Sequence, residues 1–166
     1  MLREVDISYG LSNLTKPGNV VLVVSIDKAG KANLMPAGWQ MRTSFNPPMF
    51  AVSIGKTRYT HRLISEQKEF VVAYPGEGME NVIEFCGSCS GKNVDKFKEC
   101  EIKTEKAKFV SPPLLQDARA NFECKLIKSL ETGDHTIFVG QVVAAYENKD
   151  KKKILLNMRD GSFKAF

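Results

Sequence analysis

The apolar runs in this chain are short, and each is cut off abruptly. Val20-Val-Leu-Val-Val-Ser-Ile26 is mostly β-branched and stops at the turn Asp27-Lys-Ala-Gly30. Phe50-Ala-Val-Ser-Ile54 follows the breaker Asn46-Pro-Pro48, and Glu69-Phe-Val-Val-Ala-Tyr74 ends at Pro75-Gly76. Branched and aromatic residues bounded by glycine and proline predict strands, because the branched side chain suits a pleated surface and the breakers end the ladder. Asn121 to Leu130 and Thr136 to Tyr146 flank Glu131-Thr-Gly-Asp-His135, which predicts a β-hairpin, and a last strand is expected over Lys153 to Met158.

Helical periodicity is confined to short stretches: Thr60 to Gln67, Glu77 to Phe85 and Asn93 to Glu99. They follow the strands irregularly, without the β-α-β alternation that builds a doubly wound parallel sheet. The expected fold is therefore mainly β, an antiparallel barrel with short peripheral helices. With 166 residues, the chain is the size of one domain spanning 1–166, able to bury roughly 70% of its unfolded surface around one core. No internal repeat or low-complexity segment divides it.

Several function classes fall away on composition. No apolar run nears the ~20 residues that a membrane helix needs, and the start Met1-Leu-Arg-Glu-Val-Asp6 lacks a signal-peptide core. Cys86, Cys89, Cys100 and Cys124 then read as reduced thiols, with the cytoplasm as the expected location. The net charge is +5, but the lysines are scattered and the one cluster, Lys149-Asp-Lys-Lys-Lys153, reads as a solvated turn. Basic residues interleaved with aromatics on one face are lacking, so no nucleic-acid partner is expected.

Four segments carry candidate chemistry. Ser53-Ile-Gly-Lys-Thr-Arg-Tyr-Thr60 joins a strand to a helix through glycine, hydroxyls and two cations. That arrangement suits a phosphate, with N–H groups at the helix start and an arginine beside them. It equally suits an ordinary capped helix with Lys56 and Arg58 in solvent. Asn33-Leu-Met-Pro-Ala-Gly-Trp39 holds the only tryptophan among small residues. It reads either as a close approach to a flat ligand or as a core Trp at a barrel corner. Tyr74-Pro-Gly-Glu-Gly78 imitates a dinucleotide fingerprint, but Asn81 stands where the third glycine belongs and no suitable acidic residue follows.

Phe85-Cys-Gly-Ser-Cys-Ser-Gly-Lys92 is the fourth segment. Its Cys-x-x-Cys is compatible with thiol exchange, zinc or buried packing. A zinc site with His61 and His135 would lack a second paired motif, so no metal is expected. His61 is expected to be exposed in the first turn of a helix, and His135 to sit at a hairpin end. A serine hydrolase is not indicated, since no G-x-S-x-G elbow is present.

These segments in this order and spacing resemble the flavin reductase-like family, whose fold is an FMN-binding split barrel, and within it flavoredoxin-type proteins. The resemblance runs from Val20 through Asn33–Trp39, Asn46-Pro-Pro-Met-Phe50 and Ser53–Thr60 to Glu69-Phe-Val-Val72. It continues through Ser90-Gly-Lys-Asn-Val-Asp-Lys-Phe97, Phe122-Glu-Cys124 and Gly133-Asp-His-Thr-Ile-Phe-Val-Gly140. It implies a six-stranded antiparallel split β-barrel acting as a homodimer, with FMN near the subunit contact. Carried over by position, Asn33, Met35, Pro36, Ala37, Gly38 and Trp39 would line the isoalloxazine ring. Ser53, Lys56, Arg58, Tyr59 and Thr60 would hold the phosphate. Ser90, Gly91 and Lys92 would lie beside the flavin, His135 would approach from the barrel side, and the chain end would bring in Phe166.

The flavin does the hydride and electron transfer, so no catalytic acid, base or nucleophile is obligatory, and Lys92 and His135 would only tune it. The implied function is an FMN-dependent oxidoreductase taking electrons from NAD(P)H or a redox protein and passing them to flavin or another small acceptor. The alternatives are a non-enzymatic FMN electron carrier between proteins, or a flavin-free module for another anionic ligand. Cys86 and Cys89 stand outside the family pattern; they read as packing, with a dithiol relay to the flavin as the rival role.

Overall fold

The computed structural model describes residues 3–158 and 160–166. In chain order the elements are α1 (Ile7–Asn13), β1 (Gly18–Asn19), β2 (Val21–Ile26), β3 (Ala32–Ala37), β4 (Gln40–Phe45), β5 (Pro48–Gly55), α2 (Tyr59–Gln67) and β6 (Glu69–Pro75). They continue with α3 (Glu80–Ser88), α4 (Lys96–Glu99), β7 (Thr104–Glu105), β8 (Leu114–Leu115), β9 (Ala118–Thr132), β10 (His135–Glu147), β11 (Leu155–Asn157) and β12 (Phe163–Ala165).

Seven strands form one sheet in the order β3-β2-β6-β9-β10-β5-β4, and every pairing in it is antiparallel. The expected antiparallel, mainly β class therefore holds, with a correction to the strand count: the main sheet has seven strands rather than six. No hydrogen-bonded ladder joins its two edge strands, so among the described residues it is not a closed barrel. It is nevertheless curled. The edge strands β3 and β4 are consecutive in the chain and separated only by Gly38 and Trp39. Such a link spans at most about 11 Å, so the far ends of the sheet must meet there. The N–H of Ser53 in β5 donates to the Trp39 carbonyl at 2.9 Å and fastens the link to the opposite half of the sheet.

The curl follows from which residues are apolar on both faces. On one face Val21 and Val23 of β2 share a cluster with Phe50, Val52 and Ile54 of β5, Phe70 and Val72 of β6, Phe138 of β10, and Ile64 of α2. β2 and β5 lie near opposite ends of the strand order, so only a rolled sheet lets them share one core. On the other face Leu22 and Val24 pack with Leu34, Val71, Ile83 of α3, Leu114 and Leu115. Strand β2 is buried on both sides, which is why Val20 to Ile26 reads as a continuous apolar run rather than an alternation. Each such side chain contributes about 1.5–3 kcal/mol on burial. Gly140 is needed where the core is tightest: a Cβ there would lie 2.7 Å from Phe70 Cζ and 2.9 Å from Cys124 Cβ.

The hairpin between β9 and β10 closes on Gly133-Asp134, with Thr132 opposite His135 and Gly133 at φ 54°. The last expected strand is shorter than Lys153 to Met158: β11 covers Leu155–Asn157 and joins β1 and β12 in a small separate sheet. Of the expected helices, α3 lies three residues later at both ends, α4 starts three residues later and ends as expected, and α2 starts one residue earlier. None of the helices among the described residues is long and apolar enough to cross a membrane.

Candidate functional site

Where β3 meets β4, a cavity of about 500 Å³ opens beside the link. This is a volume suited to a cofactor. Four segments build its wall: Asn33 and Met35–Trp39 from β3 and its link, Ser53–Gly55 and Thr57–Thr60 from the β5–α2 turn, Cys86–Gly91 from the end of α3, and Lys96 of α4, with His135 of β10. Asn33, Met35, Pro36, Ala37, Gly38, Trp39, Ser53, Arg58, Tyr59, Thr60, Ser90, Gly91 and His135, predicted from sequence, are brought together here. Lys56, Lys92 and Phe166 are not on this wall.

Local geometry explains each placement. Lys56 turns outward, and its Nζ pairs with Glu131 Oε2 at 2.9 Å across the hairpin. Its backbone N–H donates to the Asp134 carbonyl, which ties the β5–α2 turn to the β9–β10 hairpin. Lys92 is exposed. Phe166 is 62% exposed, and its N–H and C=O both pair with Ile154 in the small sheet. The lone Trp39 is not a core residue: it is 65% exposed, with its ring centroid 4.6 Å from that of His135. His135 Nδ1 lies 2.7 Å from Asp134 Oδ1.

The start of α2 bears on both readings of Ser53–Thr60. Arg58 is its N-cap, and no side chain caps the helix. The first N–H groups of a helix lack an intrahelical partner; here that of His61 pairs with the Arg58 carbonyl at 3.1 Å, and no side chain caps those of Tyr59 and Thr60. Arg58 and Tyr59 of this helix start line the cavity together with the hydroxyl-bearing Ser53 and Thr57. Thr60, by contrast, is 1% exposed and receives a hydrogen bond from Asn33 Nδ2 at 2.8 Å. Asn33 Nδ2 also donates to Ser25 Oγ at 3.3 Å, while Asn33 Oδ1 is buried without a partner. A Cβ on Gly91 would collide with that oxygen, so only glycine lets the 89–92 turn close over Asn33.

His61, expected in solvent, is half-buried instead: Nε2 lies 2.9 Å from Thr136 Oγ1, and the ring packs edge-on to Phe138 at 5.0 Å. Burial, helped by Lys56, holds its pKa below the ordinary histidine range. Cys86 and Cys89 both reach the cavity wall, and all four cysteines are free. The Cys86 thiol packs in the core, where burial pushes its pKa up to about 12, so the packing role describes it better than that of an attacking thiolate. Among the described residues no group of His, Cys, Asp and Glu is arranged to hold a metal.

Sequence reasoning missed one charged residue here. Lys96 is 4% exposed, and its Nζ donates to the carbonyls of Leu34 at 2.8 Å and Cys86 at 2.6 Å. Three other lysines, Lys92, Lys98 and Lys103, flank it in sequence, and nothing in the spacing marks it as the inward one. Asp95 caps α4 by accepting from the Lys98 N–H, and the Leu34 and Cys86 carbonyls are what draw Lys96 inward.

An oxidised flavin is flat with a polar edge and an anionic tail. The cavity offers Met35, Pro36, Trp39 and Tyr59 for the flat part, an uncapped helix start with Arg58 for an anion, and the orphan Asn33 oxygen within its wall. The residues fit such a group. The sequence profile of the flavin reductase like domain matches residues 14–165. An uncharacterized protein of Archaeoglobus fulgidus is 40% identical over 113 residues, 68% of this chain and 64% of its own length, so the match spans under two thirds of that relative. The NADH:riboflavin 5′-phosphate oxidoreductase of Streptomyces pristinaespiralis is 28% identical over 88% of this chain and 79% of its own. The crystal structure of flavoredoxin from Methanosarcina acetivorans superposes with a TM-score of 0.87 at 30% identity, covering 100% of this chain and 91% of the other. With its profile matched almost end to end and its fold shared with a flavoredoxin, the chain belongs to the flavin reductase-like family.

Proposed function

We propose that the chain binds FMN in this cavity and works as an oxidoreductase, moving electrons from NAD(P)H or a protein donor through FMN to flavin or another small acceptor. The observation that carries this reading is the uncapped start of α2 with Arg58, opening into the same cavity as the flat surfaces of the Asn33–Trp39 strand and link. Bound FMN supplies the hydride and electron chemistry. Arg58 and the α2 N–H groups hold the phosphate, and Ser53 and Thr57 add hydroxyl donors. Met35, Pro36 and Trp39 orient the ring, with His135 packed at a tilt against Trp39 on the cavity wall. Thr60 acts indirectly, by fixing Asn33. The protein is expected to act in the cytoplasm as a homodimer, for which exposed Met41 and Phe45 on edge strand β4, beside Trp39, provide an apolar surface.

A second reading is favoured by the likeness to a flavoredoxin: an FMN electron carrier serving protein partners. Rapid mixing of the anaerobic FMN-loaded protein with NADH and NADPH separates the two. The oxidoreductase reading expects loss of the oxidised flavin absorption band with at least one of the nucleotides. A flavin that stays oxidised with both, yet is reduced by a low-potential iron–sulfur protein, selects the carrier.

A further inference from the structure

Besides His135, the cavity wall carries the basic residues Arg58 and Lys96, and these two differ sharply in burial. Arg58 is exposed; Lys96 is 4% exposed. An ammonium has three donors, and the Leu34 and Cys86 carbonyls account for two. Cys86 lies in the last turn of α3, where unpaired carbonyls carry partial negative charge and attract a cation. Yet no carboxylate neutralises Lys96: the ion pairs among the described residues are Lys56–Glu131, Arg62–Glu66, His135–Asp134 and Lys152–Asp117. The groups that act on its charge are the thiols of Cys86 and Cys89, Arg58 across the cavity, and the thiol of Cys100. Burial first, with Arg58 adding to it, holds the Lys96 amine below the ordinary lysine range. A buried cation without a counter-charge is costly, and a neutral side chain able to hydrogen-bond could join the same two carbonyls without that cost.

We propose that Lys96 supplies the fixed positive charge that stabilises the reduced, anionic form of the flavin in this cavity, and so sets its reduction potential. The inference rests on the FMN reading above. In the overall step a hydride leaves the nicotinamide donor, which becomes the oxidised nucleotide. The neutral oxidised flavin gains two electrons and one proton and becomes an anion of charge −1 on its ring. Lys96 keeps its proton throughout and acts on the ring electrostatically, in a site where burial weakens screening. It is a positioning charge, and it takes the role that sequence reasoning assigned to Lys92.

The test compares the wild type with Lys96→Gln and Lys96→Arg, measuring the dissociation constants of oxidised and anaerobically reduced FMN and the midpoint potential. Lys96→Gln is expected to weaken binding of reduced FMN at least tenfold more than that of oxidised FMN, which lowers the two-electron potential by about 30 mV. Lys96→Arg, which keeps the charge, is expected to restore the ratio to within threefold. Should Lys96→Gln fail to fold, the wild type decides: the Lys96 Nζ resonance of ¹⁵N-lysine-labelled protein is expected to lose its proton at higher pH with reduced FMN than with oxidised FMN. Equal weakening of both forms, no weakening, or an Nζ titration that does not move with flavin reduction overturns the proposal and leaves Lys96 as a clamp between α3 and β3. Failure of the wild type to bind FMN overturns the FMN reading together with it; binding with an unmoved ratio overturns this inference alone.

Discussion

Replacing Glu123 with alanine is expected to lower the unfolding free energy by about 3–5 kcal/mol, read as a drop in denaturant midpoint with little change in slope. Glu123 is a fully buried carboxylate in β9. It accepts the backbone N–H groups of Lys108 at 2.8 Å, Phe109 at 2.6 Å and Val110 at 3.1 Å, and also the Tyr146 hydroxyl. The 106–113 segment runs over the sheet without a ladder of its own, and this one side chain satisfies three of its donors. Removing it leaves those donors without their acceptor and opens a hole beneath the loop. Burial alone would raise the Glu123 pKa, but the Tyr146 hydroxyl and the three N–H groups outweigh it, so the folded value lies below the ordinary carboxylate range. A depressed folded pKa gives stability that is complete above the unfolded value and is lost as pH falls through the folded one. Acid titration of the wild type is therefore expected to lose this contribution below about pH 4.5, the unfolded reference. Glu123→Gln, which cannot titrate, is expected to show a shallower decline over the same range, as followed by circular dichroism. A carboxylate variant of unchanged stability would remove the assignment.

Arg58→Ala is expected to weaken FMN binding by roughly 10- to 150-fold, the loss of a charge-assisted contact worth about 1.5–3 kcal/mol. The loss is expected to shrink as ionic strength rises, because part of the attraction is screened. Lys56→Ala supplies the contrast. Both residues sit in the same turn and carry the same charge, but Lys56 faces away from the cavity and pairs with Glu131. Its substitution is expected to change the affinity less than threefold, in line with the small worth of exposed ion pairs. Fluorescence quenching titrations with FMN measure both. Equal effects from the two variants would mean that net charge, and not a seat at the helix start, holds the phosphate.

How much could be read from the sequence depended on burial. The strands with continuous apolar runs, β2, β5 and β6, and the β9–β10 hairpin were legible because the core imposes its pattern on them. The two edge strands were not. β3 carries Pro36, which an edge tolerates because its missing N–H is needed by no neighbour, and β4 is exposed at most positions, so neither shows a burial period. Missing them hid two of the seven strands and the meeting of the edges where the cavity opens. In the site, Ser53–Thr60 was ambiguous because spacing cannot show whether a helix start is capped; in the structure Arg58 is an N-cap without a side-chain capping bond, and it is exposed. Lys96 could not be told from its neighbours, since its inward turn depends on the carbonyls of β3 and α3, which are distant in sequence.

Purified protein, freed of any bound chromophore and then titrated with FMN, tests the central claim most directly. The account predicts saturable binding with one FMN per chain, a perturbed flavin absorption band, and competition by inorganic phosphate that Arg58→Ala weakens. Unperturbed flavin absorption, with no retention of FMN through gel filtration at concentrations well above the chain's own, would contradict it.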